Sequence, residues 1–199
     1  RRLVTFEIAA SRRDPHRLVG WGAGAGGWEK AWAVDHVLST GFEFSAAGDC
    51  FAHVGCRAGG RWQYELLFRS SATGELLAAG VYDYETLSPP RVRPDGRQVA
   101  AAVDAVVLVW DAARGGKPVA IRNDTRRHFT AAAYHPGGRH LFTTSNDATV
   151  TVWDTTEWVR VRRFDWEIGR LRAVAVSPDG QLAAAGSDRG TVVVWDVDL

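Results

Sequence analysis

The chain has 199 residues, with 24 Lys and Arg against 23 Asp and Glu, and its formal net charge is +1. This balance gives no overall field for nucleic acid or an anionic membrane, and we predict neither as a partner. Two cysteines cannot form a disulfide framework, and no apolar run approaches the roughly 20 residues of a transmembrane helix. We therefore expect a cytoplasmic protein.

A glycine-rich segment, Gly20–Trp28, follows the strand-like residues Arg17–Val19. Within it, Gly22, Gly24 and Gly27 fit the G-x-G-x-x-G pattern of a loop that binds a dinucleotide pyrophosphate. That chemistry requires a βαβ unit around the loop, and no parallel strand follows here. The sequence therefore predicts no cofactor.

The later part of the chain repeats itself. Three turns, RPDG, HPGG and SPDG, contain prolines spaced by 42 and 42 residues. Each turn precedes a strand that ends in Trp-Asp, and the tryptophans are spaced by 43 and 42 residues. The tryptophans are Trp110, Trp153 and Trp195. Two independent markers with one period indicate a structural repeat.

One repeat divides into four short strands separated by turn residues. The predicted strands are Phe129–Tyr134, Arg139–Thr143, Thr149–Trp153 and Trp158–Phe164. The tight turns favour antiparallel neighbours, because parallel pairing needs a long crossover. The preceding repeat is compromised by Pro89, which with the next proline removes hydrogen-bond donors from its first strand.

Fainter copies precede these repeats. Leu66–Phe68 replaces the Trp-containing strand, and Phe68 lies 42 residues before Trp110. In a still weaker copy, Val4–Glu7, Phe6 fills the Trp position. This alignment makes Arg17–Trp21 an outer strand and places the glycines in a long loop to the next unit.

A period of about 42 residues, four strands per unit and a closing Trp-Asp resemble the WD-repeat β-propeller family, and its bacterial members in particular. The resemblance is strong over Leu87–Leu199 and weak over Arg1–Thr86. It implies an all-β propeller of four-stranded antiparallel blades, with about 4.7 repeats present as a partial ring. The expected blades are 1–38 (incomplete and degenerate), 39–86 (degenerate), 87–124, 125–166 and 167–199 (without its outer strand).

The resemblance also implies a hydrogen-bond network among a strand Trp, a turn Asp, a Ser or Thr and a His. Trp153, Asp147 and Thr143 match it, whereas Ala100 and Ala184 stand at the expected hydroxyl positions of two other blades. The His position falls near residues 125 and 166, which are Thr and Trp. The expected structural residues are Asp104, Trp110, Asp111, Thr143, Asp147, Trp153, Asp154, Asp188, Trp195 and Asp196.

The resemblance implies a non-catalytic scaffold that binds protein partners, without cofactor or metal. An alternative is a regulatory or sensor propeller attached to a missing upstream catalytic domain such as a kinase, protease or NTPase. A ligand in the central channel is a weaker third alternative. The sequence lacks methionine even at position 1, and we expect an N-terminally incomplete fragment.

Two insertions indicate a binding face, because insertions in repeat proteins often cluster there. They are the glycine-rich loop and the segment Gly55–Arg61, which we place on one rim with the loops between later blades. Trp and Arg are favoured binding anchors. Alternatively, the tryptophans fold back over a gap between blades. The candidate partner-binding residues are Trp21, Trp28, Trp32, Arg57, Arg61, Trp62, Arg126, Arg127, His128, Glu167 and Arg170.

Overall fold

The computed structural model describes residues 2–7, 16–36, 39–57, 63–82, 88–111 and 117–198. The regular structure in these ranges is β-strand throughout, arranged as five antiparallel sheets. The predicted all-β class with four-stranded antiparallel blades is confirmed. No helix in this part of the chain could cross a bilayer.

The sheets follow one another along the chain. The first consists of β1 (Arg2–Glu7), β2 (His16–Gly24) and β3 (Gly27–His36). The second consists of β4 (Ser39–Phe44), β5 (Cys50–Arg57), β6 (Gln63–Ser70) and β7 (Leu76–Tyr82). The third consists of β8 (Arg91–Val92), β9 (Gln98–Val103), β10 (Val106–Asp111) and β11 (Val119–Arg122).

The fourth sheet consists of β12 (Phe129–Tyr134), β13 (His140–Ser145), β14 (Thr149–Asp154) and β15 (Arg160–Asp165). The fifth consists of β16 (Leu171–Val176), β17 (Leu182–Ser187) and β18 (Val192–Asp196). Each sheet lies within one of the five expected blade ranges. Strand β8 has only two residues, because the prolines before it cannot donate to the ladder.

Strand β9 illustrates how neighbouring sheets share a core. Val99, Ala101 and Val103 pack into an apolar cluster with β5 and β6 of the second sheet. Ala100 and Ala102 point the other way and pack with β12, β13 and β14 of the fourth sheet. Because successive side chains of a strand alternate between faces, a strand between two sheets must be apolar at every position. The third sheet is therefore covered on both faces.

Glycines with positive φ end the turns between the first and second strands of the later sheets. Gly96, Gly138 and Gly180 have φ of 71°, 73° and 77°, in the left-handed region that glycine adopts without strain. A Cβ on Gly180 would also lie 2.4 Å from Nε2 of His135, in the preceding sheet. Glycine is thus required both by the backbone and by the neighbouring side chain.

The same turn position reaches the next sheet twice. Arg93, the first residue of RPDG, donates from Nε to the Gly138 carbonyl at 2.9 Å. His135, the first residue of HPGG, lies with Nε2 3.1 Å from the Gly180 carbonyl. His135 Nδ1 accepts from the amide of Gly137 at 3.0 Å, so Nε2 carries the proton and donates. These bonds connect three consecutive sheets.

Two ends of the sheets can now be distinguished, because antiparallel strands turn at alternate ends. We call the end with the turns that contain Gly48, Gly96, Gly138 and Gly180 the glycine rim. The opposite end is the loop rim. It consists of residues 104–105, 123–128, 146–148, 166–170 and 188–191.

The first sheet corrects the predicted alignment of the N-terminal repeat. Trp21 lies opposite Leu3 on β1 and donates from Nε1 to Thr5 Oγ1 at 2.8 Å. Trp153 lies opposite Leu141 and makes the same bond to Thr143 at 2.9 Å. Trp21, and not Phe6, therefore occupies the Trp position. The sequence obscured this because glycine, and not aspartate, follows Trp21.

The glycine-rich segment consequently has another place than predicted. It forms the end of β2 and the β2–β3 hairpin turn, and not a loop between blades. Its surroundings are antiparallel strands, which is not the strand–loop–helix arrangement of a dinucleotide site.

The fifth sheet has one covered and one open face. Trp195 packs against Trp166 with ring centroids 4.7 Å apart. Val192 and Val194 point away from this cluster and are 64% and 60% exposed. The apolar face that contains Val192 and Val194 is thus open in this chain.

We predict that Arg93→Ala destabilises the fold by about 1–2 kcal/mol, because it removes a bond between sheets. Arg97→Ala, at an exposed position of the same turn, should change stability by less than about 0.5 kcal/mol. Urea unfolding followed by tryptophan fluorescence measures both. Equal midpoints for the two variants would contradict a tie through Arg93.

Candidate functional site

The loop rim contains most of the unusual backbone in the described residues. Five residues other than glycine have positive φ, and four of them belong to this rim. They are Asp104, Arg126, Ala148 and Glu167, with φ of 50°, 58°, 69° and 54°. Such conformations cost energy in residues with a side chain, and they cluster at functional sites. The rim therefore stands out from the rest of the fold.

Hydrogen bonds fix the loop of residues 123–128 against the β13–β14 turn. Asn123 donates from Nδ2 to Ser145 Oγ and to the Arg127 carbonyl, both at 2.9 Å. Ser145 donates to the His128 carbonyl at 3.1 Å, and the Asn146 amide donates to the same carbonyl at 3.0 Å. The positions of Arg127 and His128 are thus set by the backbone beneath them.

Asp147 connects the same two segments. Its carboxylate accepts from Thr125 Oγ1 at 2.5 Å and from Thr149 Oγ1 at 2.6 Å, and its side chain is only 10% exposed. Burial opposes ionisation, but the hydroxyl donors Thr125, Thr149 and Ser145 outweigh it and lower the pKa of Asp147. Thr125 therefore makes the contact to Asp147 from the position where the family resemblance implied a His.

The Trp–Thr pair has a variant in the second sheet. Arg69 lies opposite Phe51, where the Trp of the other sheets lies, and donates from Nε to Nε2 of buried His53 at 3.3 Å. The same two positions are therefore filled by Trp and Thr or by Arg and His. Since a guanidinium only donates, His53 must accept through an unprotonated nitrogen.

Two predicted structural positions need correction by one residue. Trp195 pairs with Ala183, so the hydroxyl position two residues further on is Ala185, and not Ala184. By the same pairing it is Ala101 beside Trp110, and not Ala100. The sequence missed this because it counted from the turn aspartate, and the turns differ in length.

Asp188 does not occupy the predicted position of the turn aspartate, again because the turns differ in length. Its amide donates to the Arg170 carbonyl at 2.9 Å, as the Asn146 amide does to the His128 carbonyl. Asp188 is therefore the counterpart of Asn146, and Arg189 is the counterpart of Asp147.

A polar cleft of about 700 Å³ opens on the loop rim between the fourth and fifth sheets. Its charged and ionisable lining residues come from four connections between strands. They are Arg127, His128, Asp147, Arg170, Asp188 and Arg189. His128, Arg127 and Arg170 belong to the predicted binding set, and the structure brings them together here.

The charges in this cleft are unevenly paired. Asp147 lies 3.5 Å from Arg163, and Asp188 lies 3.8 Å from Arg172. Within the described ranges, the guanidinium groups of Arg127, Arg170 and Arg189 form no hydrogen bond or ion pair. Both carboxylates are thus occupied, while three lining cations remain available.

Trp21, Trp28 and Trp32 do not lie on this rim, and the prediction that they share it with the arginines is wrong. Trp32 donates from Nε1 to the Ser71 carbonyl at 3.0 Å, and Ser71 Oγ in turn donates to the Gly48 carbonyl of the glycine rim. Trp32 also stacks on Phe51, with ring centroids 6.1 Å apart. It therefore joins two sheets, as the alternative interpretation expected.

The remaining predicted residues divide by location. Trp28 is 50% exposed on the β2–β3 hairpin at the glycine rim. Arg57 ends β5 at the loop rim, by the direction of that strand. Arg61 and Trp62 lie outside the described residues. Glu167 lies on the loop rim, where its amide donates to Asp165 at 3.0 Å.

Arg189 lines the cleft but is not among the predicted binding residues. The prediction covered the loops between blades but not the turns between second and third strands of the later repeats. Those turns also face the loop rim, and Arg189 follows the predicted Asp188 directly. The signal was available from strand alternation alone.

The described part of the chain contains no group of three or more His, Cys, Asp or Glu side chains arranged to hold a metal ion. His135 and His140 are neighbours at the glycine rim, with ring centroids 6.2 Å apart, whereas His128 lies on the loop rim.

Comparison with known proteins identifies the repeat. Residues 117–154 and 161–196 match the family model described as WD domain, G-beta repeat. These two segments are therefore similar to WD40 repeats. Each match begins at or beside the outer strand of one sheet and ends at the Trp-Asp of the next sheet, over β11–β14 and over β15–β18. The repeating sequence unit therefore links two blades.

Curated relatives match parts of this chain. Pre-mRNA-processing factor 19 homolog 2 of Arabidopsis thaliana is 30% identical over 50% of this chain and 19% of its own length. Cilia- and flagella-associated protein 52 of Chlamydomonas reinhardtii is 26% identical over 66% of this chain and 22% of its own length. The chain thus spans about a fifth of the length of these relatives. Both are eukaryotic, and the predicted bacterial origin stays a prediction.

We predict that Thr143→Val destabilises the fold by about 1–3 kcal/mol, because it leaves buried Trp153 Nε1 without its acceptor. Thr143→Ser keeps the hydroxyl and should recover most of that loss. Thermal unfolding compares the two variants. A valine variant as stable as the serine variant would show that the bond contributes nothing.

Asp147 should make stability depend on acid pH. Its lowered folded pKa means that its contribution is complete above the unfolded value of about 3.9 and is lost as pH falls through the folded pKa. We predict that Asp147→Asn is less stable than wild type at pH 7 and that the difference shrinks below about pH 4. Urea unfolding across this range measures the difference. A difference independent of pH would exclude the carboxylate as its source.

Proposed function

We propose that this chain is part of a non-catalytic scaffold that binds protein partners through the loop rim. The observation that supports this most strongly is the polar cleft between the fourth and fifth sheets, where Arg127, His128 and Arg170 converge on fixed loops. Fold alone does not determine function, so the proposal depends on this site.

The chemistry of the rim supports binding over catalysis. The cleft holds arginines and one His, and its two carboxylates are already engaged by hydroxyls or by other arginines. A general acid or base needs a titratable group free to exchange a proton with substrate. Arginine forks, in contrast, are suited to recognition of fixed acceptors.

The loops also have the rigidity that a binding surface needs. The bonds from Asn123 and Ser145 hold residues 127 and 128 before any partner arrives. A surface ordered in advance loses less conformational entropy on association. A regulatory propeller attached to a catalytic domain elsewhere in a longer protein would use the same rim, and it remains the alternative proposal.

The test replaces exposed residues of each rim and compares the proteins captured by the purified chain. We predict that His128→Ala with Arg170→Ala reduces capture of specific partners at least about tenfold, a loss of about 1.4 kcal/mol in binding. Trp28→Ala, on the glycine rim, is the matched control and should retain them. Ribonuclease treatment before capture separates direct protein contacts from RNA bridges.

The opposite pattern would overturn the proposal. Partners that survive the loop-rim substitutions but leave with Trp28→Ala would place the binding surface on the glycine rim. Loss of all partners after ribonuclease treatment would replace protein binding with binding of RNA.

A further inference from the structure

We propose that the cleft between the fourth and fifth sheets binds an acidic, extended segment of a partner protein through Arg127, Arg170 and Arg189. This inference rests on the proposed function and specifies the chemistry of the partner. It includes Arg189, which is not among the predicted partner-binding residues.

The unpaired positive charge of the cleft favours an anionic ligand. The whole chain has a net charge of only +1, so three available guanidinium groups in one cleft do not follow from a generally basic surface. They come from three separate connections, β11–β12, β15–β16 and β17–β18. Like charges placed together repel one another, and an anionic ligand removes that cost.

Both carboxylates of the cleft already have partners within the protein. Asp147 is held by two threonine hydroxyls and lies near Arg163, while Asp188 lies near Arg172. The carboxylates in the cleft are therefore not positioned as partners for the three lining arginines. An external carboxylate can take that place with two parallel N–H bonds to one guanidinium.

The position of the Arg189 side chain depends on Gly169. Its side chain passes over Gly169, and a Cβ there would lie 2.9 Å from Arg189 Cδ. Gly169 has φ of 102°, which also favours glycine. The backbone thus leaves room for Arg189 beside Arg170, where both line the same cleft.

The lining favours an acidic peptide over RNA. Single-stranded RNA is usually bound by stacking bases on aromatic side chains in addition to phosphate contacts. The described lining of this cleft contains His128 but no Phe, Tyr or Trp. Asp147 and Asp188 would also repel a continuous phosphate backbone, whereas acidic side chains of a peptide can be spaced to avoid them.

Fluorescence anisotropy with a fluorescein-labelled Glu-rich peptide tests the proposal on the full chain. The same peptide with Gln in place of Glu is the uncharged comparison, and labelled oligouridine is the nucleic-acid comparison. We expect the Glu peptide to bind at least tenfold more tightly than both, with affinity falling as salt is raised.

Two variants with equal charge change separate the site from the overall charge. Arg127→Glu, Arg170→Glu and Arg189→Glu together should weaken binding of the Glu peptide at least tenfold. The control changes three exposed cations away from the cleft, Arg97, Lys117 and Arg162, to Glu and should keep the affinity within about twofold. Single Gln variants at the three cleft arginines should each weaken binding, and circular dichroism verifies folding.

Several results would overturn the inference. Equal loss in the control variant would show a response to net charge alone, and tighter binding of oligouridine would make the cleft a nucleic-acid site. If the Glu peptide fails to bind while partners still depend on His128 and Arg170, the acidic chemistry is wrong and the proposed function stands.

Discussion

The turn glycines at the glycine rim constrain the arrangement of the sheets. At Gly138 and Gly180 the backbone requires positive φ, and the space of the missing Cβ is used by Arg93 or His135 of the preceding sheet. The carbonyl of each glycine then accepts the bond from that side chain. A single position thus forms a tight turn and ties it to its neighbour, so turn geometry and sheet spacing are fixed together.

That constraint explains why the strand interior can vary while the fold is kept. Trp21 with Thr5, Arg69 with His53 and Trp153 with Thr143 fill equivalent positions, and alanine replaces the hydroxyl in two other sheets. What these pairs share is a directed donor at a partly or fully buried position, and not a residue type. In the second sheet Arg69 takes the position of the Trp, and His53 supplies the acceptor that its guanidinium needs.

The sequence allowed prediction of the repeat where its markers were explicit. The period of 42 residues and the Trp-Asp ends placed β12 to β15 to within about two residues of the observed strands. It failed at Trp21, where the aspartate is absent, and at Ala185, where turn length changed the count. That Arg127 and Arg189 have no carboxylate partner could not be read from spacing, because the pairing of Asp147 and Asp188 depends on side-chain contacts. Proximity of the loops is dictated by topology, but their free charges are dictated by those contacts.

The two rims therefore have different structural roles. At the glycine rim, side chains such as Arg93, Trp32 and Ser71 use their polar atoms on neighbouring backbone, and the sheets are held together there. At the loop rim, Asn123 and Asp147 hold the loops from below and leave the outer arginines without internal partners. Because stability is supplied elsewhere, the loop rim can carry positive φ and clustered cations that a purely structural surface would avoid. This separation of roles leaves the arginine cleft outside the core, where the proposed partner would have access to it.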